Sequence, residues 1–200
     1  MKTFRTLHYV PKLDGHFLDD AIGIHTFFWN FLRWPQKVKS LVKWYCSHLD
    51  IWTPDEVGSY TDGDGNYRGM CWTSTMRGEE NGVVVRPASQ VLKHPDRWFA
   101  IEWKTTNRKY DKAVQWMNDK VNTNQGYGVL TILSFFWIRR KARTIIVNGK
   151  EVIQYICSGF VDNAFDILVE ATPYRIPSPL RFTLWAVENL KRLGGHLVRL

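Results

Sequence analysis

Apolar residues recur at helical spacing in residues 19–32, "DDAIGIHTFFWNFL", through Ala21, Ile22, Ile24, Phe27, Phe28, Phe31 and Leu32. The pattern predicts a core-facing amphipathic helix with Asp19 or Asp20 as its N-cap. Four shorter runs then read as strands. They are Trp44–Trp52 ("WYCSHLDIW"), "YRGMCWTST" at 67–75, "VVVRP" at 83–87, and Arg97–Lys104 ("RWFAIEWK"). The last alternates Trp98, Ala100 and Glu102 against Phe99, Ile101 and Trp103, as a strand with two different faces must. Between the first two lies "TPDEVGSYTDGDGNYRG", whose two Asp-Gly steps and Pro54 predict a connecting loop.

Helical periodicity returns in Tyr110–Asn122 through Ala113, Val114, Met117 and Val121. The apolar run "GYGVLTILSFFWI" at 126–138 predicts a buried helix. It is too short to span a bilayer. "RTIIVNGKEVIQYIC" at 143–157 places Asn148-Gly149 between two β-branched runs, which predicts a hairpin. From Ser158 onward, Phe160, Val161, Ala164, Phe165 and Leu168 return to helical spacing. Near the end, Ser178 as N-cap, Pro179 as first helical residue and Gly194 as stop predict a final helix. The residues around His8 and His16 read as a loop, and His196 falls in a terminal segment prone to fraying. These elements make an α+β chain with a largely antiparallel sheet packed against helices, in one domain over residues 1–200.

Composition narrows the function classes. A hydrophobic content of 44% supports a sizeable core, and ten tryptophans make it aromatic. No apolar run reaches the length of a membrane-spanning helix, and "MKTFRTLHYVPKLDGHF" lacks the apolar segment of a secretory signal. Three cysteines, Cys46, Cys71 and Cys157, are too few and too odd in number for a disulfide framework. They point to a reducing compartment, the cytoplasm or a virion-associated setting, and to a free thiol. The net charge of +8 suits either a soluble basic protein or one that meets an anionic polymer. Only Trp137–Arg143, "WIRRKAR", concentrates that charge. No nucleic-acid recognition motif accompanies it.

The chemistry candidates centre on sulfur. Cys157 stands where a β run gives way to a helix. There the unpaired N–H groups and the helix dipole stabilise a thiolate, and the same groups can hold an oxyanion. The plainer reading is a core cysteine. A nucleophile also needs a base, and of six histidines only His48 occupies a predicted strand, where a sheet could aim its ring. His16, Asp19, Asp20 and His25 match no metal-ligand spacing, and no Cys-x-x-Cys pair occurs. "TDGDGNY" lacks the final glutamate of a calcium loop and reads as a turn. No Gly-rich phosphate loop is present, so the sequence calls for neither metal nor cofactor. Trp44, Trp52, Trp72, Trp98 and Trp103 read as packing, with room for one or two to line a substrate groove.

The order of "AIGIHTFFWNFL", "SHLDIW", "MCWTST" with "GVVVRP", then "YICSGFVDNAFDIL" and "SPLRF" resembles a known family. It is similar to the circularly permuted NlpC-like branch of the papain-like cysteine peptidases, of bacterial or phage type. The resemblance covers about residues 18–190 and rests on Ser47-His48, on Cys157-Ser158-Gly159-Phe160-Val161 and on the Ser178-Pro179 helix start. It implies a permuted papain-like fold in which the histidine strand precedes the cysteine helix. It implies Cys157 as nucleophile and His48 as base, with Thr73 at the place of the third polar residue, where the family often has glutamate. A hydroxyl can accept from imidazole but cannot stabilise imidazolium as a carboxylate does. Asp50, two residues from His48 on the same strand face, is the alternative. Its plainer reading is a solvated strand carboxylate.

The resemblance implies a thiol-dependent hydrolase (peptidase or amidase) or acyltransferase. It would act on an amide, isopeptide or ester bond of a peptide, cell-wall or acyl substrate such as peptidoglycan. Two rivals stand beside it: a non-catalytic phage structural or host-interaction protein on the same scaffold, and a nucleic-acid-associated protein built around Arg139–Arg143.

Overall fold

The computed structural model describes residues 1–10, 46–54, 60–77, 80–123, 142–147, 150–171 and 179–200. The helices expected at 19–32 and 126–138, most of the Trp137–Arg143 knot, Asn148-Gly149 and Ser178 lie outside the described residues.

The chain is α+β. Its principal sheet comprises β1 (Lys2–Tyr9), β2 (His48–Thr53), β3 (Met70–Arg77), β4 (Glu80–Pro87), β5 (Trp98–Thr105) and β8 (His196–Val198). Their spatial order is β4-β3-β2-β1-β5-β8, antiparallel at every pairing. A separate antiparallel pair, β6 (Ala142–Val147) with β7 (Lys150–Tyr155), has the register expected of the Asn-Gly hairpin, Val147 facing Lys150. The helices are α1 (Ala88–Val91), α2 (Asn107–Asn122), α3 (Cys157–Val169), α4 (Pro179–Glu188) and α5 (Leu190–Leu193). Gly194, at φ 68°, ends α5 in the left-handed conformation that favours glycine. No helix among the described residues is long and apolar enough to cross a membrane.

Two strands correct the expectations. Lys2–Tyr9, expected as a loop, is a central strand paired on both sides. Its signal is hidden because a strand buried on both faces should read as an apolar run, yet Arg5, Thr6 and His8 are all fully buried. Apart from one terminal nitrogen of Arg5, their polar groups are met inside the protein rather than by water, so polarity misleads about burial here. The His196 segment pairs with β5 instead of fraying, with His196 opposite Glu102. Both strands lie beyond the 18–190 span of the resemblance.

Directly opposed residues on paired strands share a sheet face, and the register therefore assigns each side chain to one side. The first face carries Phe4, Leu49, Ile51, Trp72, Ile101 and Trp103. Against it pack Phe160, Val161, Ala164, Phe165 and Leu168 of α3, Ala113 and Met117 of α2, and Phe182 and Ala186 of α4. These aromatics interlock edge to face, as with Trp103 and Phe165 at 4.9 Å and 81°. Removing a ring such as Phe165 would cost about 3–5 kcal/mol, since the void cannot collapse fully.

The second face carries Leu7, Trp52, Cys71 and Ala100 under Ala88 and Leu92. One row across it runs His196, Glu102, Arg5, Trp52, Cys71, Arg86; the next includes Val198, Ala100, Leu7 and Asp50. Arg5 is buried there because Glu102 takes its Nε and one terminal nitrogen, and because Trp52 and Tyr60 stack on the guanidinium. The loop bearing Tyr60 closes onto this face where the Trp52 indole N–H donates to Arg68 O. Gly69 permits that approach: its φ is 92°, and a Cβ would stand 2.2 Å from Thr53 O. The "TDGDGNY" stretch is a turn, in which Asp62 Oδ1 accepts from the N–H groups of Asp64 and Asn66.

Candidate functional site

β2 begins at His48, so its alternation sends His48, Asp50 and Trp52 to the second face while Leu49 and Ile51 enter the helical core. β2 and β3 pair only from Ile51–Trp72 to Thr53–Met70, although β3 runs on to Arg77. Beyond Ile51 the ladder stops, and a side chain bridges the strands instead: Thr73 Oγ1 donates to Leu49 O at 2.8 Å. At this divergence the start of α3 meets β2. Ser74, on the opposite face of β3 from Thr73, donates its hydroxyl to Tyr155 O at 2.8 Å and anchors the chain two residues before Cys157.

α3 starts at Cys157 because β7 ends at Tyr155 and the stripe Phe160, Val161, Ala164, Phe165 has its apolar face ready for the core. Ile156 stands at the N-cap and supplies no side-chain hydrogen bond. No cap therefore competes for the first N–H groups of the helix, and its positive end stays directed at the sulfur. The hydroxyl of Ser158, buried in the same turn, also lacks a hydrogen-bond partner.

Cys157 and His48, apart by more than a hundred residues in the chain, are brought close enough for the sulfur's charge to act on the imidazole. His48 Nε2 lies 3.0 Å from Asp50 Oδ1 and 3.2 Å from Thr73 Oγ1. The Thr73 proton is committed to Leu49 O, so its oxygen accepts from imidazole. Burial on its own would lower the pKa of His48. The charges of Cys157 and Asp50, with hydrogen bonds to both, overcome it and raise the value to about 9. Asp50 is held below the usual carboxylate range although burial pushes it up, chiefly because the His48 charge opposes that push.

Asp50 corrects an expectation. The strand carboxylate read as solvated is completely buried and is the acidic neighbour of the imidazole. Spacing of two along a strand put it on the His48 face, but only the covered state of that face makes it a partner. Thr73 lies against the same nitrogen, at 3.2 Å.

Burial raises Cys46 to about 12 and Cys71 well above the ordinary thiol value. Cys46 donates to His48 O at 3.1 Å. All three cysteines are free, and Cys157 retains 4% and His48 5% of their surface. A substrate carbonyl can reach the sulfur only where what covers it gives way. Trp98 lies beside the imidazole, edge to face at 6.4 Å, and is partly exposed, whereas Trp52, Trp72 and Trp103 are core residues. Among the described residues no group of three or more His, Cys, Asp or Glu could hold a metal ion.

No protein-family model, curated protein or solved structure matches this chain.

Proposed function

We propose that the protein is a thiol-dependent hydrolase or acyltransferase of permuted papain-like architecture, with Cys157 as nucleophile and His48 as base. The single observation that carries this reading is the buried cluster of Cys157, His48 and Asp50, in which the imidazole meets the charge of the sulfur and stands 3.0 Å from the carboxylate. The thiol gives its proton to the imidazole, and the resulting imidazolium is held at Nε2 by Asp50 and Thr73. Sulfur attacks the carbonyl of an amide, isopeptide or ester. The oxyanion meets the N–H groups opening α3. Imidazolium returns its proton to the leaving group, and the thioester passes to water or to another acceptor. Cell-wall peptides are the substrate class the resemblance favours.

A second reading, a binding protein that keeps the scaffold without the chemistry, is favoured by the near-complete burial of the sulfur. Iodoacetamide separates the two. The catalytic reading expects Cys157 to be alkylated well ahead of Cys46 and Cys71, with the rate near neutral pH falling in His48→Ala. Labelling of Cys157 no faster than of the other two thiols in the native protein would leave the binding reading standing.

A further inference from the structure

A carboxylate as deeply buried as Asp50 must be held ionised by more than a histidine that exchanges its proton during turnover. The second face shows what is available. On its own strand Asp50 has His48; across β1 it faces Leu7, and the nearest cation of that strand, Arg5, is spent on Glu102 of β5. From β3 it is faced by Thr73 and, one row away, Cys71. From α3 it has only the Cys157 sulfur. β4 supplies Arg86, opposite Cys71 in the register and on the same face as Asp50.

Arg86 is not a surface arginine. Among the described residues its side chain is 22% exposed, its Nε is buried without a hydrogen-bond partner, and its ion pair is a loose one, NH1 to Glu80 at 3.5 Å. Neither oxygen of Asp50 has a well-aligned hydrogen bond among the described residues, and the His48 contact at 3.0 Å is an ion-pair approach. A donor and an acceptor that lack good partners thus share one covered face.

We infer that Arg86 is a positioning residue of the site, the fixed cation that holds Asp50 as carboxylate and completes an alternating chain Cys157–His48–Asp50–Arg86. The electrostatics agree in direction: after His48, Arg86 is the further positive charge holding Asp50 down, and it also opposes the rise at Cys71. The consequence is functional. With a permanent charge behind it, Asp50 stays ionised whether imidazole is neutral or protonated, so the base recovers its orientation after each proton transfer.

The inference rests on the proposed catalytic reading for its meaning but not for its test. Titration of the Asp50 carboxyl carbon by NMR measures the coupling without any substrate. Arg86→Met should make Asp50 about a tenfold weaker acid, and Arg86→Lys should restore most of the difference. The acid limb of Cys157 alkylation should move by the same factor in Met and return in Lys. An Asp50 midpoint unchanged in Arg86→Met overturns the inference even if Cys157 proves reactive. A moved midpoint in a protein whose Cys157 is inert keeps the coupling and removes the catalytic reading. Should Arg86→Met fail to fold, Glu80→Gln serves instead. It frees the guanidinium from its counter-charge and should make Asp50 a stronger acid, and no movement there overturns the inference equally.

Discussion

His8 and His48 lie on neighbouring antiparallel strands, one register position apart, with His8 opposite Leu49 and His48 opposite Tyr9. Both are buried, and their ionisation is driven in opposite directions. His8 faces the helical core. Its ring stacks on Phe99 at 4.5 Å, Nδ1 donates to Thr183 Oγ1, and Nε2 accepts from Thr6 Oγ1. The direction of each bond follows from the ends of the chain: Thr183 gives its own proton to Pro179 O, and Thr6 receives the Trp103 indole N–H. All partners are neutral, so desolvation acts unopposed and lowers the pKa to about 3. His48, on the other face, has the charges of Cys157 and Asp50 beside it, which outweigh burial and raise it to about 9. Burial alone does not set a histidine's ionisation; the charge of what shares its pocket does.

The largest test of this contrast is Asp50→Asn. It keeps the shape and removes the charge that His48 has and His8 lacks. Cys157 alkylation near neutral pH should fall by roughly 10²–10⁴-fold, the usual worth of an acid–base partner. A loss below threefold would mean that Thr73 alone suffices. His8→Phe should leave the alkylation rate within a factor of two and should instead lower stability by about 1–2 kcal/mol, as hydroxyl partners are lost.

Stability against pH sharpens the contrast further. The folded value of His48 lies above its unfolded value, so its contribution is complete below about pH 6.5 and disappears as pH rises towards 9. The folded value of His8 lies below, so its contribution is complete above about pH 6.5 and disappears as pH falls towards 3. Asp50, also held down, adds to the acid loss at the lower end of that range. Denaturant midpoints should therefore flatten on the alkaline side in His48→Gln and on the acid side in His8→Phe. The same limb flattening in both variants would contradict the opposed environments.

Thr73→Val should have the smallest effect. The Leu49 carbonyl loses its donor and His48 one of two acceptors, and a slowing of about 3- to 10-fold is expected. Intact alkylation with lowered stability would place Thr73 in the strand bridge only.

Much of the scaffold was legible. Strand alternation in Trp98–Thr105, the β-branched runs that pair as β6 and β7, and the stripe of α3 are local patterns whose period states the element directly. The positions of Cys157 at a helix start after a strand and of His48 in a strand were legible, since both are local features. β1 was not legible, because Arg5, Thr6 and His8 find their partners 97 and 175 residues away at Glu102, Trp103 and Thr183.

The amino-acid order by itself determined which residues alternate, where helices begin, and that His48 and Asp50 project from the same side of a strand. It could not determine whether that side is wet. Only the closed sheet, with Leu7 against Asp50 on one flank and Arg86 two strands away on the other, decided that Asp50 is buried beside an imidazole. The reason is that a side chain's direction is a local property of the backbone, while the charge and dielectric it meets are sums over distant segments.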